Sequence, residues 1–378
     1  MFVANVLFWI RMKNEPTTRL LSLDFMRGLI MVLLALESTG LYWRLSDQAE
    51  GSFLQGFMVQ FEHHEWHGLH FWDLIQPGFM FIAGTALAFS LAKQAQQGLT
   101  WTASFQKALK RSGWLFFWGV LDYAVRKTGL SFELWDVLTQ LSVTLLLAFL
   151  VSRWSLLGQL GFSLGLLLLA ELLYRFTHVS GFDQPFTDQQ NFGNYVDLLL
   201  MNKINKGGWV AINCISTSAH TIWGMMAGKV LLEARPAAYK LMLLLAGGLL
   251  CLLAGYGMDL SGLTPIIKKI ATSSFVFVSG GWCLLLLAFL YWWIDVLRHQ
   301  KYLLFFTIVG MNSIFLYLFF EIVGSRWFNG YVFDVTLGLM QFTCIPVAIQ
   351  EILSCLCLFA LEWGLCYFLY QKRIFFRA

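Results

Sequence analysis

An all-α polytopic membrane protein, a single bundle of about ten transmembrane helices, is the fold class this sequence predicts. Three observations predict it. Of the 378 residues 58% are apolar and 13% charged, about half the charged share of an ordinary globular chain. Mean hydropathy is +0.65. Apolar runs of about twenty residues recur along the chain, each long enough to cross a ~30 Å hydrocarbon core. A soluble globule is thereby excluded. The lipid bilayer is the expected surrounding, and a net charge of +4 gives no basis for a nucleic-acid partner.

Ten spans fall near 23–43, 72–92, 108–125, 134–151, 155–174, 209–231, 238–256, 271–294, 302–322 and 347–370. A missed or split helix in 325–350 would change the count without moving the first two. With the N-terminus in the cytoplasm, seventeen of the 26 Lys and Arg fall on the cytoplasmic side, from Arg11, Lys13, Arg19 and Arg27 to Lys372, Arg373 and Arg377. Cytoplasmic loops collect such residues, so both termini are expected inside. The opposite side then carries two long loops, 44–71 and 175–208. The first is rich in aromatic and titratable residues and is expected to pack over the bundle. No repeat or soluble domain boundary is visible, and one membrane domain over 1–378 is expected. The seven cysteines lie in or beside apolar segments without paired spacing, so neither a disulfide framework nor a zinc site is predicted. The N-terminal residues show no cleavage-site pattern, and no removable signal peptide is expected.

The first long loop runs Phe61-Glu62-His63-His64-Glu65-Trp66-His67-Gly68-Leu69-His70 and continues into Phe71-Trp72-Asp73 at the second span. Imidazoles titrate near neutrality, so a base toward an amine or hydroxyl is chemically reasonable here. On a helix His63, His67 and His70 would share a face suited to zinc. However, His64-Glu65-Trp66-His67 is one residue short of the HExxH protease pattern, and Gly68 argues against a continuous helix. No metal is expected. The plainer alternative is an interfacial belt with Trp66 and Trp72.

In the first span Asp24 and Arg27 are three residues apart, which predicts an ion pair. Arg27 is also a candidate for an anionic ligand, with Lys110 and Arg111 on the same side. Glu37 lies about 20 Å further along that span, with Ser38 beside it. A carboxylate at that depth is a functional-site candidate by default. Asp73, at a similar depth, could share a polar chamber with it. His220 and Asn312 fall near mid-membrane, where each could hydrogen-bond between helices. The Gly224–Gly228 pair reads as close helix packing.

Taken together, Ser22-Leu23-Asp24-Phe25-Met26-Arg27-Gly28, His63 three before Trp66, Gly68, Asp73 to Pro77 and Phe79 to Gly84 resemble the heparan-alpha-glucosaminide N-acetyltransferase family and its bacterial relatives. Gly224 to Gly228, Thr264 to Lys269 and Gly310-Met311-Asn312 agree in order, so the resemblance spans nearly the whole chain. It implies acetyl transfer from cytosolic acetyl-CoA to the amine of a glucosamine-type sugar across the membrane. It puts the catalytic role on His63, as base or as a transient acetyl-imidazole. Asp73 would orient that ring, with Glu37, Ser38, Trp66 and Asn312 toward the amino-sugar acceptor and Arg27, Lys110 and Arg111 toward the CoA phosphates. The family usually has an asparagine near the end of the first span, where this chain reads Glu37-Ser38-Thr39. The lysosomal enzyme's lumenal domain has no counterpart before the first span, and a bacterial inner-membrane location is the expectation. A homodimer is compatible with the sequence. Two rival functions are a proton-coupled sugar transporter using Glu37, Asp73, His220 and Asn312, and an O-acetyltransferase of an envelope polysaccharide.

Overall fold

A computed structural model describes residues 20–126 and 129–376. The N-terminal stretch with Arg11, Lys13 and Arg19, to which the signal-peptide reading applies, lies outside the described residues, as does Arg377. The described chain is overwhelmingly helical. Five helical segments are long and apolar enough to cross a membrane: Phe71–Gln96, Leu156–Phe176, Ala237–Leu260, Ser273–Val296 and Val347–Gln371. A sixth is added if Leu303–Met311 and Ser313–Met340, bent by 73° at their junction, are one span. This is an all-α membrane protein, and the count by length and composition is five or six where the sequence suggested ten.

The shortfall has a physical source. Helix α1 (Leu21–Ser38) is largely apolar but carries three charged residues, Asp24, Arg27 and Glu37, more than an apolar span ordinarily tolerates. Helix α9 (Asn213–Leu232) opens with the polar run Asn213-Cys214-Ile215-Ser216-Thr217-Ser218-Ala219-His220-Thr221. Sixteen of its 20 residues are buried. Its polarity faces protein, and its neighbours take up most of it, with Asn213 Oδ1 and His220 Nδ1 buried outside the hydrogen bonds of the described residues.

The fold comprises two compact units. The larger contains 64–69 and 73–297. In it α9 is the central helix, packed on α4 (Ile75–Gln96), α6 (Val137–Val151) and α7 (Leu156–Phe176). The crossing with α4 depends on missing side chains. A Cβ on Gly84 would overlap the Thr221 carbonyl oxygen, and one on Gly224 that of Phe81. Buried side chains then tie the helices together: His220 Nε2 to Ser279 Oγ at 2.8 Å, Thr221 to Thr144 at 3.0 Å and Trp223 Nε1 to Ser163 at 2.9 Å. Lys229 donates to the Ser152 carbonyl at 2.7 Å. Helix α5 (Trp101–Ala124) pairs with α6, and α10 (Ala237–Leu260) with α11 (Ser273–Leu290). On α10 the exposed Leu245, Leu249 and Leu253 recur every fourth residue, an apolar stripe suited to lipid. A two-residue hairpin, β1 (Val125–Arg126) with β2 (Gly129–Leu130), precedes α6.

The loop 175–208 of this unit contains helix α8 (Phe192–Met201), closed at its N-terminus by a reciprocal Asn191–Asn194 capping box. Its buried Asp197 accepts Trp135 Nε1–H and the Ala211 N–H, each at 2.9 Å. Burial lifts this carboxyl from 3.8 to about 6 even though both donors favour the charged form.

The smaller unit joins 21–63 and 70–72 to the C-terminal part of the chain from Arg298. Here α1 packs on α12 (Leu303–Met311), where a Cβ on Gly28 would overlap the Phe306 carbonyl. Helices α2 (Leu41–Ala49) and α3 (Gln55–Met58) follow α1. After α12 come α13 (Ser313–Leu318), a π-helical stretch over Phe319–Phe328, α14 (Asn329–Met340) and α15 (Val347–Gln371). Asn312 sits at the α12–α13 break, fully buried. Its Nδ2 donates to the Ile374 carbonyl at 3.1 Å and its Oδ1 accepts the Phe376 N–H at 2.9 Å.

Two outcomes follow from this packing. Gly84→Val and Gly224→Val each lose at least about 3 kcal/mol, because the intruding atoms meet backbone that cannot yield. Gly257→Ala, on an open face of α10, gains up to about 1 kcal/mol; fluorescence-detected thermal unfolding checks both. For Asp197, the raised pKa means the folded state holds its proton more tightly than the unfolded chain. Its contribution is therefore most favourable below pH 4 and is lost as pH rises toward 6, by up to about 2 kcal/mol. Asp197→Asn should flatten that pH dependence of the melting temperature.

Candidate functional site

In the larger unit the histidine loop does not form a helix. Residues 64–69 follow an irregular, bent path beside the segment between α10 and α11, with His67 bridged antiparallel to Ile267. The Gly68 N–H donates to the Ile266 carbonyl at 2.9 Å. Gly68 has φ 147°, and a Cβ there would overlap the His64 imidazole. Glycine is required by both facts.

The partner segment, Thr264 to Thr272, holds its own shape through hydroxyls. Thr272 Oγ1 accepts the Ile267 N–H at 3.0 Å and donates to the Pro265 carbonyl at 2.7 Å, where Ser274 Oγ also donates. Side chains anchor the stretch further. His67 Nε2 lies 2.7 Å from Asp259 Oδ1, an oxygen that also accepts the Ile266 N–H at 3.0 Å. Trp66 Nε1 donates to the Phe186 carbonyl at 2.8 Å, and its ring packs on Tyr174, Val210, Ile267 and Ile270.

Asp73, wholly buried, holds the stretch at its start. Its Oδ2 accepts the His64 N–H at 3.3 Å, and Lys268 Nζ lies 3.3 Å from its Oδ1. Lys268 is 6% exposed, and its ammonium stands 5.2 Å from the centre of the Trp209 ring. A buried carboxylate, a buried ammonium and an aromatic face thus form one compact charged centre.

In the smaller unit, Glu37 is exposed and its Oε1 accepts Trp72 Nε1–H at 3.1 Å. Tyr42 meets the Trp72 ring edge-on at 5.2 Å. His63 is exposed, and His70 Nδ1 lies 3.0 Å from the Glu62 carbonyl. Ser38 turns from Glu37 toward α15, with Oγ 3.3 Å from Glu362 Oε1, and its carbonyl accepts Asn329 Nδ2–H at 2.7 Å. Arg27 Nη1 is 3.8 Å from Asp24 Oδ1, the pairing their spacing predicts. Asn312 spends both amide groups on the C-terminal backbone. Lys110 is exposed on α5 in the larger unit, with Arg111 half-buried beside it.

The histidines that could have shared a metal instead go to separate partners: His67 to Asp259 and His70 to a backbone carbonyl. Two charged groups were missed by sequence reasoning. Lys268 was visible only as part of the Thr264–Lys269 motif, and Glu362 was hidden inside the last apolar span.

Removing one partner of the Asp73–Lys268 pair leaves a buried charge alone. Asp73→Ala and Lys268→Ala should each cost about 3–5 kcal/mol, whereas Asp73→Leu with Lys268→Met recovers most of it. A double-mutant cycle on thermal unfolding reads the coupling.

No family model matches the chain, and no curated protein matches it.

Proposed function

We propose that the chain is a membrane-embedded acetyltransferase, carrying acetyl from acetyl-CoA to the amine of a glucosamine-type sugar on the other side of the bilayer. The observation that carries this reading is the stretch directly after His63, tied down by backbone and side-chain contacts. The bridge to Ile267, Trp66, His67 and the Asp73–Lys268 centre all anchor residues 64–69, the stretch into which His63 leads. A base needs such a support to hold its ring within hydrogen-bonding reach of a proton.

In this reading His63 takes the proton as the amine nitrogen attacks the thioester carbonyl. The C–N bond forms, the C–S bond breaks, and the imidazolium returns that proton to the departing thiolate. Asp73 keeps the role of orienting the ring that the resemblance implies. Glu37, accessible and oriented by Trp72, is suited to an acceptor ammonium or hydroxyl. Arg27, Lys110 and Arg111 are the cations assigned to the CoA phosphates, for which a planar guanidinium is well suited. Trp66 supports the stretch, since its N–H is committed to Phe186. Asn312 serves the fold, with both amide groups engaged. The location expected for such an enzyme is a bacterial inner membrane with both termini in the cytoplasm.

His63→Ala should keep the fold and melting temperature and lose acetyl transfer by about 10²–10⁴-fold. Proteoliposomes supplied with acetyl-CoA on one side and glucosamine on the other provide the measurement, reading CoA release against N-acetylglucosamine formed. Full activity in the variant removes His63 from the chemistry. Sugar uptake without CoA release identifies a transporter.

A further inference from the structure

Glu362 lies on α15, nine positions before its end and so about 14 Å inside the helix. It is 1% exposed, and Ser38 is its one hydrogen-bonding partner among the described residues, with Oγ at 3.3 and 3.5 Å from the two carboxyl oxygens. The ionisable groups on the elements packed against α15 are engaged or turned elsewhere. Arg44 of α2 stands 3.8 Å from Glu351 near the start of α15. On α1 Glu37 takes the Trp72 N–H and Asp24 pairs with Arg27 near the opposite end, Asp47 of α2 and Asp334 of α14 are exposed, and α12 carries none. Cys366, one turn further along α15, is a free thiol.

An inventory of protons decides the state of this carboxyl. Ser38 has one hydroxyl hydrogen. Its nearest acceptor is the Ala35 carbonyl, at 2.9 Å, shorter than either distance to Glu362. If that hydrogen goes to Ala35, the Ser38 oxygen has only lone pairs to offer Glu362, and the hydrogen between them must belong to the carboxyl. An ionised Glu362 would have one stretched donor and no cation, a state that costs several kcal/mol in the interior of a span.

We propose that Glu362 is a membrane-embedded proton-binding site, a neutral carboxylic acid that donates to Ser38 Oγ while Ser38 donates to the Ala35 carbonyl. The ligand is one proton. When it leaves, the acid O–H bond breaks and its electron pair stays on the carboxylate. The Ser38 hydroxyl then turns from Ala35 to Glu362, leaving the Ala35 carbonyl to the Thr39 N–H at 3.4 Å. Ser38 is thus a two-position switch at the end of a helix whose preceding residue, Glu37, is accessible. The proposal stands independently of the acetyl-transfer reading.

Infrared spectroscopy of the purified full-length protein in lipid nanodiscs tests it directly. At neutral pH the wild type should show a carboxylic-acid C=O band that shifts in D2O and is missing from Glu362→Gln. Ser38→Ala, which removes the acceptor of the acid proton, should move that band to higher frequency. Identical carboxylic-acid regions in wild type and Glu362→Gln overturn the proposal. Should the glutamine variant not fold, a band unmoved by Ser38→Ala overturns it equally.

Discussion

A carboxylate withdrawn from water must be compensated, and in the larger unit that requirement is concentrated at Asp73. The penalty for burying each ion is several kcal/mol, repaid only when the geometry is good and the remaining polar atoms are satisfied. Lys268 supplies the opposite charge at 3.3 Å, the His64 N–H takes the second oxygen, and Trp209 receives the ammonium on its ring face. Stretches around 64–75 and 264–272, far apart in sequence, are therefore coupled. Residues 64–69, the 264–272 segment and the start of α4 cannot separate without exposing or isolating a charge. That coupling, more than any single histidine, gives the loop its fixed path.

The described chain deals with other buried polar groups in graded ways. Neutral hydroxyls suffice along α9, where Thr221, Thr144, Ser279 and Ser163 pair across helices at modest cost. Lys229 points its ammonium at the Ser152 and Trp154 carbonyls that end α6 and lead into α7, where the helix dipole is also favourable. Asp197 receives two N–H donors, and their number is too small to keep its pKa at the ordinary value. The strength of each compensation tracks the charge being compensated. This makes Asp73, alone in combining an ammonium with a backbone donor, the most heavily supported of these groups.

The sequence was legible where the signal is local. The spans expected near 72–92, 155–174, 238–256, 271–294 and 347–370 coincide within a few residues with the five apolar helices, because length and hydropathy are properties of a contiguous run. The Asp24–Arg27 pair was legible for the same reason, its members being one helical turn apart. Gly224–Gly228 marked a close crossing correctly, although the partner, α4 at Gly84, carries no matching label. What could not be read was long-range. Lys268 has no sequence feature that points to Asp73, and the ninth span is broken at Asn312 because that side chain prefers the backbone of 374–376. The loop 44–71 was rightly marked as aromatic and titratable, but its histidines divide between partners that only folding brings near.

Glu37 and Ser38 illustrate the limit most sharply. Successive residues on a helix are turned by about 100°, so neighbours in sequence face different surroundings. Glu37 meets Trp72 and remains accessible. Ser38 faces α15 and Glu362. At this helix end the chain places a charge and then a hydroxyl, and each finds its own partner. A carboxylate at 37 can accept the indole N–H and still attract a cation. The hydroxyl at 38, holding one hydrogen and two lone pairs, can answer either protonation state of Glu362. The arrangement is thus chemically coherent: one helix end presents a charge outward and, one residue later, a reversible hydrogen-bonding group inward.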